Sequence, residues 1–365
     1  MAAPSGPGRR TVLRGGLTAT AAGALGLAVN APANAAPVRA SRRPAAGSSL
    51  AAPEPRIHST AEWGARPPNQ QIVVLDRVPT YIVVHHTAEP GNSEDYSLEH
   101  AMEICRSIQN FHMDGQGWGD SGQQFTNSRG GFVLEGRHQS LDVVRGGTRH
   151  VQGANVGGRN SEVIGIENEG LYTEVDVPAA LWGSLVQLVA WIATRYGRPV
   201  TDIMGHRDFN STECPGGVLY GRLQELRDAV AGALGVAPAD RPSVWPLLRP
   251  GSAGPQVRAA QYLLRARGFE DVPVDGVFGA ATKRAVVKLA DVHNVEKHTC
   301  AAMVRGHTDE TGYLGSDIWP LITPKARAAD SADLAKAVTT LHRAGADRAH
   351  SAGVLTTTDW QRLLA

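Results

Sequence analysis

The residues able to do chemistry gather in three short stretches. In residues 203–217, IMGHRDFNSTECPGG, His206 and Cys214 stand eight positions apart. The turn-formers Asp208, Asn210 and Ser211 lie between them, and a Pro-Gly stop follows the cysteine. Imidazole nitrogen and thiolate sulfur are preferred donors for zinc, and two ligands from one loop leave room for a third from elsewhere plus an open position. The competing reading of such a pair is a surface histidine and a thiol that is simply core. In the second stretch, residues 81–87, His85 and His86 end a β-branched run of Ile82, Val83 and Val84. Successive strand residues point to opposite faces, so only one of these histidines can face a given site, and the spacing leaves open which. The third stretch is VIGIENEG, residues 163–170, where Glu167 and Glu169 share one face of a strand otherwise made of Ile and Val. A buried carboxylate needs a partner or a task, and beside an activated water it can act as a general base. A solvated strand end fits Glu169 better than Glu167.

These stretches need a sheet to hold them. The run 82–84 is the pattern of a strand buried on both faces in a sheet covered by helices, and open α/β sheets gather their binding groups at the carboxyl ends of strands. Residues 98–112 place Leu98, Met102, Cys105, Ile108 and Phe111 on one helical stripe, which makes Cys105 a core thiol. A hairpin is expected from strands near residues 123–127 and 132–135 around Gly130-Gly131. Helices are expected over 178–196 and 218–234, and Trp63 is expected to be a packing anchor.

The chain has 365 residues, long enough for two or more domains with real cores, and its net charge of +1 with 19% charged residues argues against nucleic-acid binding by bulk electrostatics. Residues 1–36 read as a twin-arginine signal peptide. Arg9 and Arg10 precede a weakly apolar run over 17–29 and the small-residue site Ala33-Asn34-Ala35, after which cleavage is expected. That run is too short for a membrane span in the mature protein. Residues 37–56, rich in Ala, Pro, Ser and Arg, read as a disordered linker, with folded chain beginning near Arg56. A further short linker covers 236–243. Residues 244–323 read as a small helical module in which Pro255 opens a helix and Asp275-Gly276 turns into another near Gly279. The insertion over 297–312 holds His298, Cys300 and His307, which lack the paired spacing of structural zinc motifs and read as a polar loop. Whether Cys300 pairs with Cys105 stays open. The tail, 324–365, ends in VLTTTDWQRLLA, which echoes YLGSDIWPLIT at 313–323, so it is either a helical extension or a degenerate repeat.

EWGARPP at 62–68, VVHHTA at 83–88 and GHRDFNSTECPG at 205–216 together resemble the zinc-dependent N-acetylmuramoyl-L-alanine amidases of the peptidoglycan recognition and phage-lysozyme type, over residues 57–235. The resemblance implies an α/β fold with a mixed central sheet flanked by helices, and it implies Zn2+ held by His85, His206 and Cys214. The residue two before the cysteine, Lys or Thr in catalytic members, is Thr212, which implies support for the developing oxyanion. One position departs from the pattern: where recognition-type amidases carry Tyr in D-I-G-Y-N-F, DSGQQF at 120–125 places Gln123, which cannot act as a base. GIENEG at 165–170 instead matches the G-I-E-x-E-G phrase of the anhydro-muropeptide amidases, whose first glutamate corresponds to Glu167. The second module, WPLLRPGSAGPQVRAAQYLLRARGF and onward, resembles the all-α peptidoglycan-binding domain appended to wall hydrolases.

The resemblance implies a secreted, cell-wall-associated, monomeric hydrolase that cuts the amide between N-acetylmuramic acid and L-alanine of peptidoglycan. A non-catalytic peptidoglycan receptor and a zinc peptidase acting within the stem peptide are the alternatives. No catalytic candidate lies beyond Cys214, so the second module is expected to serve as a tether that leaves the chemistry alone.

Overall fold

The computed structural model describes residues 51–296, 302, 309–346 and 353–365. The signal peptide over 1–36, the linker up to residue 50, and His298, Cys300 and His307 lie outside the described residues. Among those described, no helix is long and apolar enough to cross a membrane.

In the first module the elements run in chain order as follows. Strands β1 (Ile57–His58), β2 (Val74–Leu75) and β3 (Tyr81–His86) precede helix α1 (Leu98–Asn110). Strands β4 (Phe125–Asn127) and β5 (Val133–Glu135), helix α2 (Ser140–Gly146) and strands β6 (His150–Val151) and β7 (Val163–Asn168) come next. Helix α3 (Ala179–Tyr196), strand β8 (Ile203–Gly205) and helices α4 (Gly217–Gly221) and α5 (Leu223–Leu234) complete it. Six strands form one mixed sheet in the order β1-β5-β4-β7-β3-β8, with β2 and β6 paired separately. Neighbours in the large sheet are parallel except β4 and β5, the expected hairpin.

Alternation along the central strands decides what each residue meets. Ile82 and Val84 of β3, with Ile164 and Ile166 of β7, pack into a core with Leu181, Leu185 and Leu188 of α3 and Leu226 and Val230 of α5. Val83 and Val163 point the other way, against Val156. On the α1 side, Trp63 is buried with Cys105 and Leu134, and its indole N–H donates to the Glu135 carbonyl at 2.8 Å. Cys105 is a free buried thiol, pushed up to about 12 chiefly by burial, in keeping with a core role.

Two boundaries differ from the sequence reading. Packed chain begins by Ala52, whose N–H donates to Thr194 Oγ1 at 3.2 Å, and Glu54 pairs with Arg145, so a small side chain and one ion pair dock the end of the stretch read as linker. The helix expected over 218–234 is two helices broken at Arg222, whose φ of −87° and ψ of 1° leave helical geometry. Its guanidinium lies over the Trp182 ring at 3.8 Å and pairs with Asp176 and Glu225.

The second module contains α6 (Pro255–Ala266), α7 (Ala280–Val292), α8 (Trp319–Ile322), α9 (Ala332–Arg343) and α10 (Thr357–Leu364). Its core joins Val257, Leu263, Leu264, Val286, Leu289 and Trp319 to Leu334, Leu341, Trp360 and Leu364, so the tail shares that core. The echo between the two sequence phrases has a structural counterpart. Trp319 Nε1 donates to the Pro246 carbonyl at 2.6 Å and Trp360 Nε1 to the Pro324 carbonyl at 3.0 Å. Each follows an antiparallel bridge, Leu248 with Leu314 and Arg327 with Val354. The tail thus repeats the strap-and-tryptophan lock of the segment before it.

Candidate metal centre and cleft

Parallel register sets the site. In β3 and β7, His85 stands opposite Glu167; in β3 and β8, Val84 stands opposite Gly205, which brings the next residues, His85 and His206, side by side at the carboxyl ends. Aligned residues of parallel neighbours point to the same face, so three adjacent strands deliver Glu167, His85 and His206 together on the face of Val83 and Val163. His86 has the parity of Ile82 and Val84. It borders the cleft, but its Nδ1 accepts from the Tyr172 backbone N–H at 3.3 Å. Burial, with Arg207 and His206 nearby, pushes it down to about 3. Register thus places His85, and not His86, on the face that Glu167 and His206 share.

Cys214 completes the cluster from the loop after β8. The ligand atoms of His85, His206 and Cys214 all lie within 4.8 Å of one another, and all three residues are buried. His85 Nδ1 is 3.6 Å from Cys214 Sγ. A tetrahedral ion with bonds of about 2.3 Å to sulfur and about 2.0–2.1 Å to nitrogen needs an S···N edge of roughly 3.6 Å, so this edge fits zinc as it stands. His206 Nε2 lies 3.1 Å from Asn210 Oδ1; a proton on Nε2 satisfies that amide and leaves the Nδ1 lone pair for an ion. Burial, reinforced by His86 and opposed by Asn155, pushes His85 down to about 3, so it is the neutral ligand form at pH 7. Cys214 Sγ also accepts from the His86 backbone N–H at 3.4 Å.

These residues sit in a cleft of about 290 Å³ that is also lined by His112, Trp118, Gln123, Asn155 and Glu167. Glu167 is 7% exposed, and desolvation alone pushes it up to about 8. Glu169 is not a solvated strand end, the alternative that fitted it better than Glu167. It is fully buried, accepting from the Arg129 N–H at 2.9 Å and meeting His100 Nε2 at 2.8 Å, because α1 covers the sheet face that Glu169 shares with Glu167, Thr126 and Leu134. The glycine of the Gly-Ile-Glu phrase has a steric reason: a Cβ on Gly165 would lie 2.5 Å from Asn155 Oδ1. Gln123 is buried, with its amide N–H donating to Thr126 Oγ1 at 2.9 Å.

Thr212 is placed differently from expectation. It is fully buried and is not among the residues lining the cleft. Its hydroxyl donates to Glu310 Oε1 at 3.0 Å and accepts from the Cys214 N–H at 3.1 Å. The single hydroxyl proton is therefore committed to a carboxylate of the second module, which the expected oxyanion role did not foresee. Sequence reasoning also missed His112. It stands where α1 runs on into a wider turn, Phe111–Gly115, with its ring 4.6 Å from that of Trp118 and its Nδ1 accepting from the Gly122 N–H at 3.0 Å. Burial pushes it down to about 3, so it is neutral with its proton on Nε2. Its apolar neighbours Phe111 and Met113 hide it within the helical stripe, and only the Gly-rich turn after it hints at a cleft wall.

Residues 75–217 match the family model for N-acetylmuramoyl-L-alanine amidase, and residues 253–289 match that for a putative peptidoglycan binding domain. Peptidoglycan-recognition protein SC2 of Drosophila melanogaster is 33% identical over 172 residues, covering 46% of this chain and 84% of that protein. An N-acetylmuramoyl-L-alanine amidase of Homo sapiens is also 33% identical over 172 residues, but they make up 28% of its length, so the chain spans little more than a quarter of that relative. Among solved structures, Drosophila PGRP-LB aligns at a TM-score of 0.41 and 25% identity, covering 51% of this chain and 98% of that one.

Proposed function

Because the chain belongs to the N-acetylmuramoyl-L-alanine amidase and peptidoglycan-recognition family, we propose that it is a secreted zinc hydrolase cutting the amide between N-acetylmuramic acid and L-alanine of peptidoglycan. The observation that carries this reading is the convergence of His85, His206 and Cys214 beside a buried Glu167 in register with His85. A recognition role needs the cleft but has no use for a desolvated carboxylate.

His85, His206 and Cys214 would hold the zinc. Zinc held there would supply an activated water and polarise the scissile carbonyl. Glu167 takes the proton of the attacking water and delivers it to the amine nitrogen of L-alanine as the amide bond breaks. Its apolar surroundings hold the proton in transit instead of releasing it to solvent. Asn210 fixes the His206 tautomer, and neutral His112 with Trp118 forms a wall for the substrate. Thr212, its hydroxyl held by Glu310 and accepting from the Cys214 N–H, would brace the loop that carries this ligand. The family match of 253–289 supports attachment to the wall by the second module, and the twin-arginine leader supports export.

The test pairs zinc analysis of the purified protein with the masses of fragments released from purified sacculi. Stem peptides with a free L-alanine amino group, beside glycan without peptide, are the expected products. Cleavage between stem residues would make it a peptidase, and bound zinc with no released fragments would make it a receptor.

A further inference from the structure

The loop that supplies two of the three proposed ligands is held from outside its own module. Residues 309–317 lie along residues 207–213 and contact them repeatedly. Glu310 Oε1 accepts from Thr212 Oγ1 at 3.0 Å and from the Glu213 N–H at 2.7 Å. Asp317 accepts from the Ser211 hydroxyl and, at 3.5 Å, from Asn210 Nδ2. The Gly315 N–H donates to Ser211 Oγ at 2.8 Å, and Ser316 Oγ donates to the Arg207 carbonyl at 2.7 Å. Backbone approach is close enough that a Cβ on Gly315 would lie 2.8 Å from Ser211 Cα. Arg249 pairs with Glu213 at 2.6 Å across the same boundary.

Two of these contacts continue to the metal ligands. Glu310 holds Thr212, whose hydroxyl accepts from the N–H of Cys214; Asp317 meets Asn210, whose carbonyl faces Nε2 of His206. Glu310 is 5% exposed, so its bonds are made away from water, where charge-assisted bonds are strongest and hardest to replace. We propose that Glu310 is a positioning residue for the metal centre, fixing Cys214 through Thr212, so that the second module is a working part of the hydrolase; Asp317 only shares Asn210 with the Gly157 carbonyl, which lies closer at 3.3 Å. This rests on the zinc reading above and extends it to a residue far along the chain.

The test is zinc affinity, measured in the full chain by competition with a chelator. Groups that orient ligands typically matter 10–100-fold in metal affinity, so Glu310→Ala is expected to bind zinc about 10–100-fold more weakly than the parent. Glu310→Gln keeps an oxygen acceptor and should fall between them. Arg249→Ala removes an interface ion pair that is not on this relay and should leave affinity unchanged. Thr212→Val keeps the side-chain shape but breaks the link to Cys214, and it provides the answer if Glu310→Ala does not fold. Parent-like zinc affinity in folded Glu310→Ala, or in Thr212→Val, overturns the proposal. A parent chain that binds no zinc refutes the metal reading itself, whereas a zinc-binding parent with an indifferent Glu310 refutes the relay alone.

Discussion

Replacing Glu167 by Gln should separate catalysis from stability in opposite directions. The carboxyl is nearly buried and is raised from its ordinary 4.5 to about 8 by desolvation alone. Between those two values the folded, metal-free protein keeps a proton that the unfolded chain releases. Stability therefore falls as pH rises through this window and levels off above about 8. At about 1.4 kcal/mol for each tenfold in proton affinity, the cost reaches at most about 5 kcal/mol at pH 8 and about 3 kcal/mol at pH 7. Gln, of the same shape and never charged, escapes it. Metal-free Glu167→Gln should thus match the parent in denaturant unfolding at pH 4.5 and exceed it by a few kcal/mol at pH 8. Turnover should move the other way. A dication beside the carboxyl favours its charged form, so the loaded parent has a base at pH 7 and the variant has none. Zinc content should stay at the parent level while turnover falls on the order of 100- to 10,000-fold. A Glu167→Gln enzyme with most of its turnover, beside a folded Glu169→Gln enzyme that has lost it, would refute the assignment. So would metal-free unfolding curves whose difference did not change with pH.

Three further outcomes follow from the geometry. Cys214→Ala should lose zinc and hydrolysis yet keep the fold by circular dichroism, since the core is built from the sheet, α3 and α5. His85→Ala should lose zinc while His86→Ala keeps it, because His86 bonds the Tyr172 N–H; elemental analysis showing the reverse would invert the choice. Gly165→Ala must displace Asn155 and should destabilise by about 1–3 kcal/mol in denaturant unfolding, as overpacking does.

Local pattern made much of this legible. The β-branched run before His85 gave β3, the apolar stripe gave α1, and the Gly-Gly turn gave the β4–β5 hairpin, each from residues next to one another in sequence. What spacing could not decide turned on contacts between distant parts of the chain. Choosing His85 over His86 needs the pairing of Val84 with Gly205, set by strands more than a hundred residues apart. The solvated alternative weighed for Glu169 does not hold because α1 covers the face that Glu169 shares with Glu167, and His100 on that helix meets the carboxylate. Thr212 could not have been placed at all, because its partner, Glu310, lies in another module within a stretch that reads as a polar loop.

On the proposal that Glu310 positions the ligand loop, that last contact gives the second module a role besides that of a tether. A tether raises local substrate concentration and leaves small soluble substrates indifferent to it. On those grounds deletion of residues 237–365 would weaken binding to intact wall and spare hydrolysis of soluble muropeptides. In the structure the deletion also takes away the acceptors for the Thr212 hydroxyl and the Glu213 N–H, the Asp317 contact to Asn210, and the Ser316 bond to the Arg207 carbonyl. Water can re-satisfy these groups, but it cannot hold them in one arrangement, and the loop carrying His206 and Cys214 loses its outer wall. Glu296 and Ala302, which line the cleft from the second module, go as well. The truncated protein should keep the sheet and α3–α5 core by circular dichroism, yet bind zinc more weakly and hydrolyse soluble muropeptides more slowly than the full chain. Excess zinc should restore part of the rate by refilling the site, but not the part lost with the cleft wall. Full activity of the folded truncated protein on soluble muropeptides, at limiting zinc, would show that residues 207–214 hold their shape unaided.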